Sequence, residues 1–421
     1  MDLQKDVVIV GAGGGGAILA TKLARKHISA TVLEQSSGPP QGLRGEILQP
    51  NGQRILDEMG LLAQLPSHAI RPVRYFHFRR VGGERLCTVD YGTLPQPYNR
   101  ALVMWPNSVQ QTVLANLEKE SPKTLQYGVK VKRLLREGTC ICGVEAELDG
   151  KTVRIGAKLV VGADGPFSMV RDALGIPTRL HRYQESYLVA MLDGHESLGE
   201  SQYFVGKKTI LGIFPAAGNK MYVFYMIPSG ALADMKKEGT RALSECWTNI
   251  YPELGKTFET LTDWSQTAYM GTGRVKAKTW VAEGAVLIGD AAHGMNPHAS
   301  QGRMQAMVDA DILSEVIQTC AEKDDWSVSR VREFERRRRP QVTMLQRLAD
   351  EEVFFWNTGN PVLSYLRDRV FMTIDNNPRL KYQVLSATAG LRESPPFSFF
   401  DRIKAAGIIP DSQARQAFGQ K

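Results

Sequence analysis

Runs of apolar β-formers bounded by glycine dominate the start of the chain. Residues 7–10 (VVIV) lead into Gly11-x-Gly13-x-x-Gly16, a small-residue segment follows, and a second apolar run closes on Glu34. This order predicts strand, tight turn, helix and strand. A Gly/Pro-rich loop (36–45) leads to a helix of about 51–62. The alternating segments 72–80 and 84–90 flank Gly82-Gly83 as the arms of a hairpin do. A helix of about 107–119 follows Pro106, and residues 128–162 read as several strands. The last of these, AKLVVGADG (157–165), is apolar on both faces, as a parallel strand covered by helices is. Between about 181 and 275 the texture changes, and runs at 187–192, 201–204, 210–214 and 221–227 predict an antiparallel sheet. The chain returns to a buried strand at 284–290, enters a helix of about 302–320, and is helical and aromatic-rich from about 326 onward.

The first of these units has the layout that cradles a dinucleotide pyrophosphate. Gly11 makes the tight turn, Gly13 lets backbone N–H groups approach phosphate, and Gly16 lets helix and strand pack closely. Gly14 belongs to the same loop, and the helix N-terminus adds partial positive charge there. Glu34, with Gln35 beside it, stands where an acid meets ribose hydroxyls. Glycines also serve ordinary turns, so the strand before and the acid after carry the reading. The expected fold is α/β. A Rossmann-like nucleotide-binding domain is discontinuous (1–71, 101–180 and 276–345), an antiparallel-sheet domain (72–100 and 181–275) is inserted in it, and a helical region (346–421) follows.

Composition narrows the picture. Hydrophobic content of 43% and charged content of 23% suit a globular enzyme, and no window approaches a transmembrane length. The first strand begins so early that no signal peptide is expected. The scattered, odd-numbered cysteines (Cys87, Cys140, Cys142, Cys246, Cys320) point to a reducing, cytoplasmic setting. Cys140 and Cys142 have period-2 strand spacing and no second ligand pair, so no metal is expected. The net charge of +8 would suit nucleic acid, an anionic membrane surface or anionic cofactors. The one dense basic run, Arg336–Arg339, reads as the solvated end of a helix stopped before Pro340. No nucleic-acid motif occurs.

Two further signatures complete the pattern. One is Gly162-Ala163-Asp164-Gly165-x-x-Ser168-x-Val170-Arg171. The other is Gly289-Asp290-Ala291-Ala292-His293-x-x-x-Pro297-x-x-x-Gln301-Gly302, followed by Gln305-Ala306-x-x-Asp309-Ala310. With the glycine motif, over roughly residues 5–345, they resemble the three fingerprints of the group A flavin-dependent aromatic hydroxylases. That group includes para-hydroxybenzoate hydroxylase and the ubiquinone-pathway hydroxylases. The resemblance implies FAD as cofactor and NAD(P)H and dioxygen as co-substrates. It implies hydroxylation of an electron-rich aromatic ring through a flavin hydroperoxide kept away from water. With a single GxGxxG, the nicotinamide has no Rossmann domain of its own, as in that group.

The resemblance assigns roles residue by residue. Asp290 would bond the ribityl chain of FAD, with a helix cap as its bland alternative. Pro297, Gln301, Gly302, Arg303 and Met304 would form the loop and helix start facing the flavin pyrimidine. Arg44 would pack near the FAD, or else sit in water. Asp164 and Gly165 are implicated in FAD and NAD(P)H binding, although Asp164 and Arg171 also read as an ion pair at a helix start. No catalytic residue is assigned; His293 and Pro297 are the weak candidates, and His293 reads more readily as structural. Phe204, Phe214, Pro215, Tyr222 and Phe224 are substrate-pocket candidates, half of which strand alternation should send to the core.

Three positions depart from the family pattern: Gly14-Gly15 for a bulkier aliphatic and an alanine, Pro106-Asn107 for an arginine, and Met304 for an asparagine. The aromatic tail (Phe354-Phe355-Trp356, Tyr365-Leu366, Pro396–Phe400) reads first as a helical cap. Its second reading is a surface for a lipophilic substrate or peripheral membrane contact. The substrate expected from these features is a lipophilic or polycyclic aromatic of secondary or ubiquinone-type metabolism. A flavin-dependent reductase of isoprenoid lipids and a non-catalytic FAD-binding pathway protein are the alternatives.

Overall fold

A computed structural model describes residues 3–43, 46–195 and 197–415. Leu3–Val10 lies at the centre of an eight-stranded mixed sheet, parallel to Ala30–Leu33 on one side and Lys151–Gly162 on the other. Leu125–Gln126 and Ala285–Leu287 extend the parallel part at its two sides. Helices cover this part, and Leu19, Leu23, Val113, Leu313 and Ile317 join the strands' core. Burial on both faces is why these strands are apolar throughout rather than alternating. Cys140 and Cys142 sit on the antiparallel strand Cys140–Leu148 of the same sheet and are free thiols.

A second, seven-stranded sheet runs in the order Thr267–Met270, Glu185–Asp193, Lys220–Pro228, Thr209–Ala216, Ser201–Gly206, Tyr75–Arg80, Arg85–Asp90. Every junction is antiparallel except that of Ser201–Gly206 with Tyr75–Arg80. Alternation divides its two faces. Tyr187, Tyr203, Phe214, Tyr222 and Phe224 point one way, towards Trp356, Phe371 and Leu380 of the C-terminal helices. Leu188, Phe204, Leu211 and Ile213 point the other way, against Trp247 and Phe258.

The tail consists of helices Val328–Trp356, Pro361–Asp375, Pro378–Thr388 and Phe399–Ala405. It caps the inner face of the second sheet and keeps an apolar outer side, with Phe354, Tyr365, Phe399 and Phe400 exposed. Among the described residues no helix is long and apolar enough to cross a membrane.

The basic run overturns its sequence reading. Pro340 ends no helix: it lies inside the 29-residue helix Val328–Trp356, costing one backbone hydrogen bond. Arg338, expected in solvent, is 1% exposed. A buried carboxylate draws it inward, as the site shows.

Candidate active site

Three loops far apart in sequence meet at the carboxyl ends of the central parallel strands, where open α/β sheets bind ligands. Their contact depends on missing side chains. A Cβ on Gly11 (φ +100°) would stand 2.5 Å from the Ala163 carbonyl oxygen, and one on Gly16 would stand 2.0 Å from that of Gly11. The glycine loop thus lies directly on the Ala163-Asp164 loop. The third loop joins them through the Gly302–Lys323 helix. Gly15 faces Ala306 and Ile288, and a Cβ on Gly14 would meet the Arg303 stem at 3.1 Å. This explains the two departures at Gly14 and Gly15: the space an aliphatic side chain would fill here holds Arg303 and Ala306.

The cradle so formed fits an FAD. Open space faces Gly13, with no atom within 4 Å of an added Cβ, and the Gly14–Arg25 helix behind it has no side-chain cap. Its first N–H groups are therefore available to an anion such as a pyrophosphate. Glu34 is fixed beside them, accepting from the N–H groups of Ala12 and Ser36 at 2.9 Å each, and Gln35 next to it is exposed. The 22-residue Gly302–Lys323 helix is likewise uncapped by any side chain, and open space faces Gly302. Asp290, exposed, begins the short helix Asp290–His293 after the buried strand Ala285–Leu287.

The other candidates fall as follows. Asp164 does not pair with Arg171. It accepts from Ser168 Oγ (2.6 Å) and the Val170 N–H (3.0 Å), holding the loop at a helix start, while burial pushes its carboxyl above the usual range. Arg171 donates instead to the carbonyls of Pro166 and Ala291, and Gly165 (φ +78°) turns the loop. The Gln301 side chain is committed, donating to the Thr388 carbonyl and accepting from Asn51 and Gln305, so only its backbone is left for a cofactor. The Met304 sulfur sits where a Gly52 side chain would be, within 2.4 Å of an added Cβ. At the Pro106-Asn107 departure, Asn107 (φ +64°) donates to the Gly42 carbonyl, and Gln110 of the helix it opens donates to Ala12 of the glycine loop. Arg44 lies outside the described residues.

His293 is a structural residue. Its Nε2 lies 2.5 Å from Asp309 Oδ2, which also accepts from the Gly289 N–H. Arg338 Nε donates to Asp309 Oδ1 at 2.8 Å, and the guanidinium also donates to Gln305 and Gln341. Burial opposes the Asp309 charge, but His293 and Arg338 outweigh it and hold the carboxyl down at about 2. This network locks the third loop from behind. Among the described residues no cluster of His, Cys, Asp or Glu has the makings of a metal site.

Of the five pocket candidates, three lie on the inner face. Phe214 and Tyr222 stack at 5.6 Å, and Phe224 stacks on Tyr187 at 4.2 Å. Phe204 is a correction: alternation turns it outward onto Tyr251, its ring 4.7 Å away. The same alternation turns Pro215, between the inward Phe214 and Ala216, to the outer face. The sequence reading passed over Tyr187, His298, Glu352 and Asn357, which share this inner region. Tyr187 Oη lies 2.9 Å from His298 Nε2, and the His298 ring lies 5.1 Å from that of Trp356. Burial lowers the His298 pKa to about 4, so its imidazole is neutral. His298 follows Pro297 directly, so the loop expected at the flavin also reaches the aromatic face.

A family model described as an FAD binding domain matches residues 4–348. The chain belongs to this FAD-binding family. It is a flavin-dependent monooxygenase of the aromatic-hydroxylase type. It is 27% identical over 377 residues to 6-methylpretetramide 4-monooxygenase of Streptomyces rimosus, covering 89% of each chain. It is also 29% identical over 368 residues to digeranylgeranylglycerophospholipid reductase 1 of Methanococcoides burtonii, covering 84% of each. Among solved structures, HpxO of Klebsiella pneumoniae complexed with FAD and uric acid has the same fold. The TM-score is 0.75 at 20% identity, over 92% of this chain and 96% of that one.

Proposed function

We propose that this monooxygenase takes electrons from NAD(P)H and one oxygen atom from dioxygen to hydroxylate an electron-rich, lipophilic or polycyclic aromatic ring. The observation that carries the reading is the Asn296–His298 turn. On one side it leads into the uncapped helix of the FAD cradle, and on the other it meets an aromatic-lined sheet face. FAD bound in the cradle would supply the redox chemistry. The residues around it do the rest. Gly11, Gly13, Gly14 and Gly16 admit the pyrophosphate, and Glu34 with Gln35 meets the adenosine ribose. Asp164, Gly165, Gly289 and Asp290 line the ribityl side, and Pro297 with the backbone of Gln301–Met304 faces the ring system.

In this reading residues 1–71, 101–180 and 276–345 hold the cofactor. Segments 72–100 and 181–275 roof the substrate, and the helices that follow residue 345 close over the aromatic face. Tyr187, Phe214, Tyr222 and Phe224 exclude water from the reacting ring, which limits wasteful loss of reducing equivalents to peroxide. The relative named 6-methylpretetramide 4-monooxygenase, matched over 89% of its length, supports a monooxygenase reaction. The relative named as a phospholipid reductase keeps a lipid-reducing role as the second reading. Purified protein soaked in FAD should turn yellow, and with an accepted aromatic it should consume NAD(P)H and dioxygen in step with a hydroxylated product. NAD(P)H-dependent saturation of a prenyl chain without oxygen uptake would replace this reading with the reductase one.

A further inference from the structure

The inner face of the second sheet holds a knot of polar atoms that the protein itself does not satisfy. His298 Nδ1, Asn296 Nδ2, both amide atoms of Asn357 and Glu352 Oε2 are buried without a hydrogen-bond partner. Asn357 sits beside Tyr187 and His298 and perturbs both, yet forms no bond of ordinary geometry. Glu352 lies one turn before Trp356 on the same helix, and its charge is felt by the phenols of Tyr91, Tyr187 and Tyr203. Buried polar atoms are normally paired, and each one left bare costs the fold stability. Several in one region, around Tyr187 and Trp356, mark a place where a ligand or water completes the bonding.

The charge pattern says which ligand. The charge acting on Glu352 is that of Glu351, of like sign, and Glu351 is itself paired with Arg402. The phenols that feel the Glu352 charge, those of Tyr91, Tyr187 and Tyr203, are neutral, their pKa values pushed up by burial. Among the described residues, the buried guanidiniums of Arg338, Arg367 and Arg379 are paired with carboxylates and that of Arg171 donates to backbone carbonyls; Arg367 comes nearest the knot, donating to the Trp356 carbonyl while held by Asp368. Resting on the function proposed above, we infer that Glu352, with Asn357 and His298, is a specificity site that takes an uncharged, hydroxyl-bearing ring and rejects an aromatic carboxylate once its own carboxyl ionises. The ring's hydroxyl bonds the Glu352 carboxyl, Asn357 and His298 bond a second polar group, and the aromatic rings of the sheet hold the apolar body. Burial, reinforced by Glu351, raises the Glu352 pKa to about 8, so an anionic ligand is tolerated only while the acid keeps its proton.

The test uses flavin-loaded protein and two probes of one shape, 2-naphthol and 2-naphthoate, titrated by Trp fluorescence and by the flavin spectrum. Between about pH 6 and about pH 8.5, naphthoate affinity should fall about fourfold while naphthol affinity changes less than about twofold. In Glu352→Gln, which keeps the shape and loses the charge, both affinities should be flat over this range. Naphthoate binding that does not weaken in the unmodified protein overturns the inference, whatever the variant does. So does a fall that persists in Glu352→Gln. Failure to take up FAD at all would instead bring down the functional reading on which this one stands.

Discussion

Two buried polar clusters lie along the Val328–Trp356 helix and are built on opposite terms. Around Arg338 the donors and acceptors are matched: Asp309 takes bonds from Arg338, the Gly289 N–H and His293, and Gln305 and Gln341 take the rest of the guanidinium. Around Glu352, also buried, polar atoms are left bare. The contrast separates architecture from recognition. A closed network has no capacity left for a ligand and serves to position a loop. An open one is costly until something binds.

The sharpest way to break the comparison is to remove Arg338. Arg338→Met leaves Asp309 charged and underpaired in the interior, and should cost about 3–5 kcal/mol in equilibrium denaturation. A loss below about 1 kcal/mol would show that the network is not closed. The second prediction sets the two carboxyls against each other by pH. Asp309 is held at about 2, so its share of stability is present above the ordinary carboxyl range and is lost as pH falls from about 4 through 2. Glu352 is raised from 4.5 to about 8, so the folded form holds its proton more tightly and stability declines as pH rises across that interval. Asp309→Asn should flatten the acid limb of a plot of melting temperature against pH, and Glu352→Gln the alkaline limb. Identical profiles for variant and parent would contradict the assignment of either limb.

A smaller effect, of opposite sign to the first, is expected from Glu352→Leu in ligand-free protein. Removing a bare buried acid should leave stability unchanged or raise it by about 1 kcal/mol, while naphthol binding weakens. A drop in melting temperature comparable to that of Arg338→Met would mean that Glu352 is paired after all. The smallest effect is expected outside both clusters. Phe204→Leu, on the outer face, should cost about 1 kcal/mol in denaturation and leave ring binding unchanged, whereas Phe214→Leu should weaken ring binding. Equal effects of the two on binding would contradict the division of the sheet's faces.

The glycine loops were legible from sequence because glycine reports backbone shape directly. Gly11 and Gly16 have no room for a Cβ, and their spacing between an apolar strand and a helix announces that constraint. The alternating runs at 187–227 were equally legible as a sheet, but which residues face inward was not. Period two divides Phe204 from Phe214 only once the register of each strand is known. Arg338 was misjudged through its neighbours, since a run of four arginines suggests solvent. The signal was nonetheless present: Val331, Phe334, Arg338, Val342 and Leu345 form one stripe at three- to four-residue steps. Ala349, Glu352 and Trp356 continue it. A charge inside such a stripe is a buried charge, and the partner that makes it tolerable lies 29 residues earlier, where no local pattern points.

That stripe also sets a ruler inside the enzyme. Fourteen residues separate Arg338 from Glu352, which is about four turns and about 21 Å of helix, with both groups on nearly the same side. One residue inserted or deleted between them would swing the distal group by about 100°, unplugging either the clamp or the recognition knot. Engineers who wish to graft a different hollow onto this flavin scaffold can vary the rings on the strands freely, but must transplant or preserve this rod at fixed length.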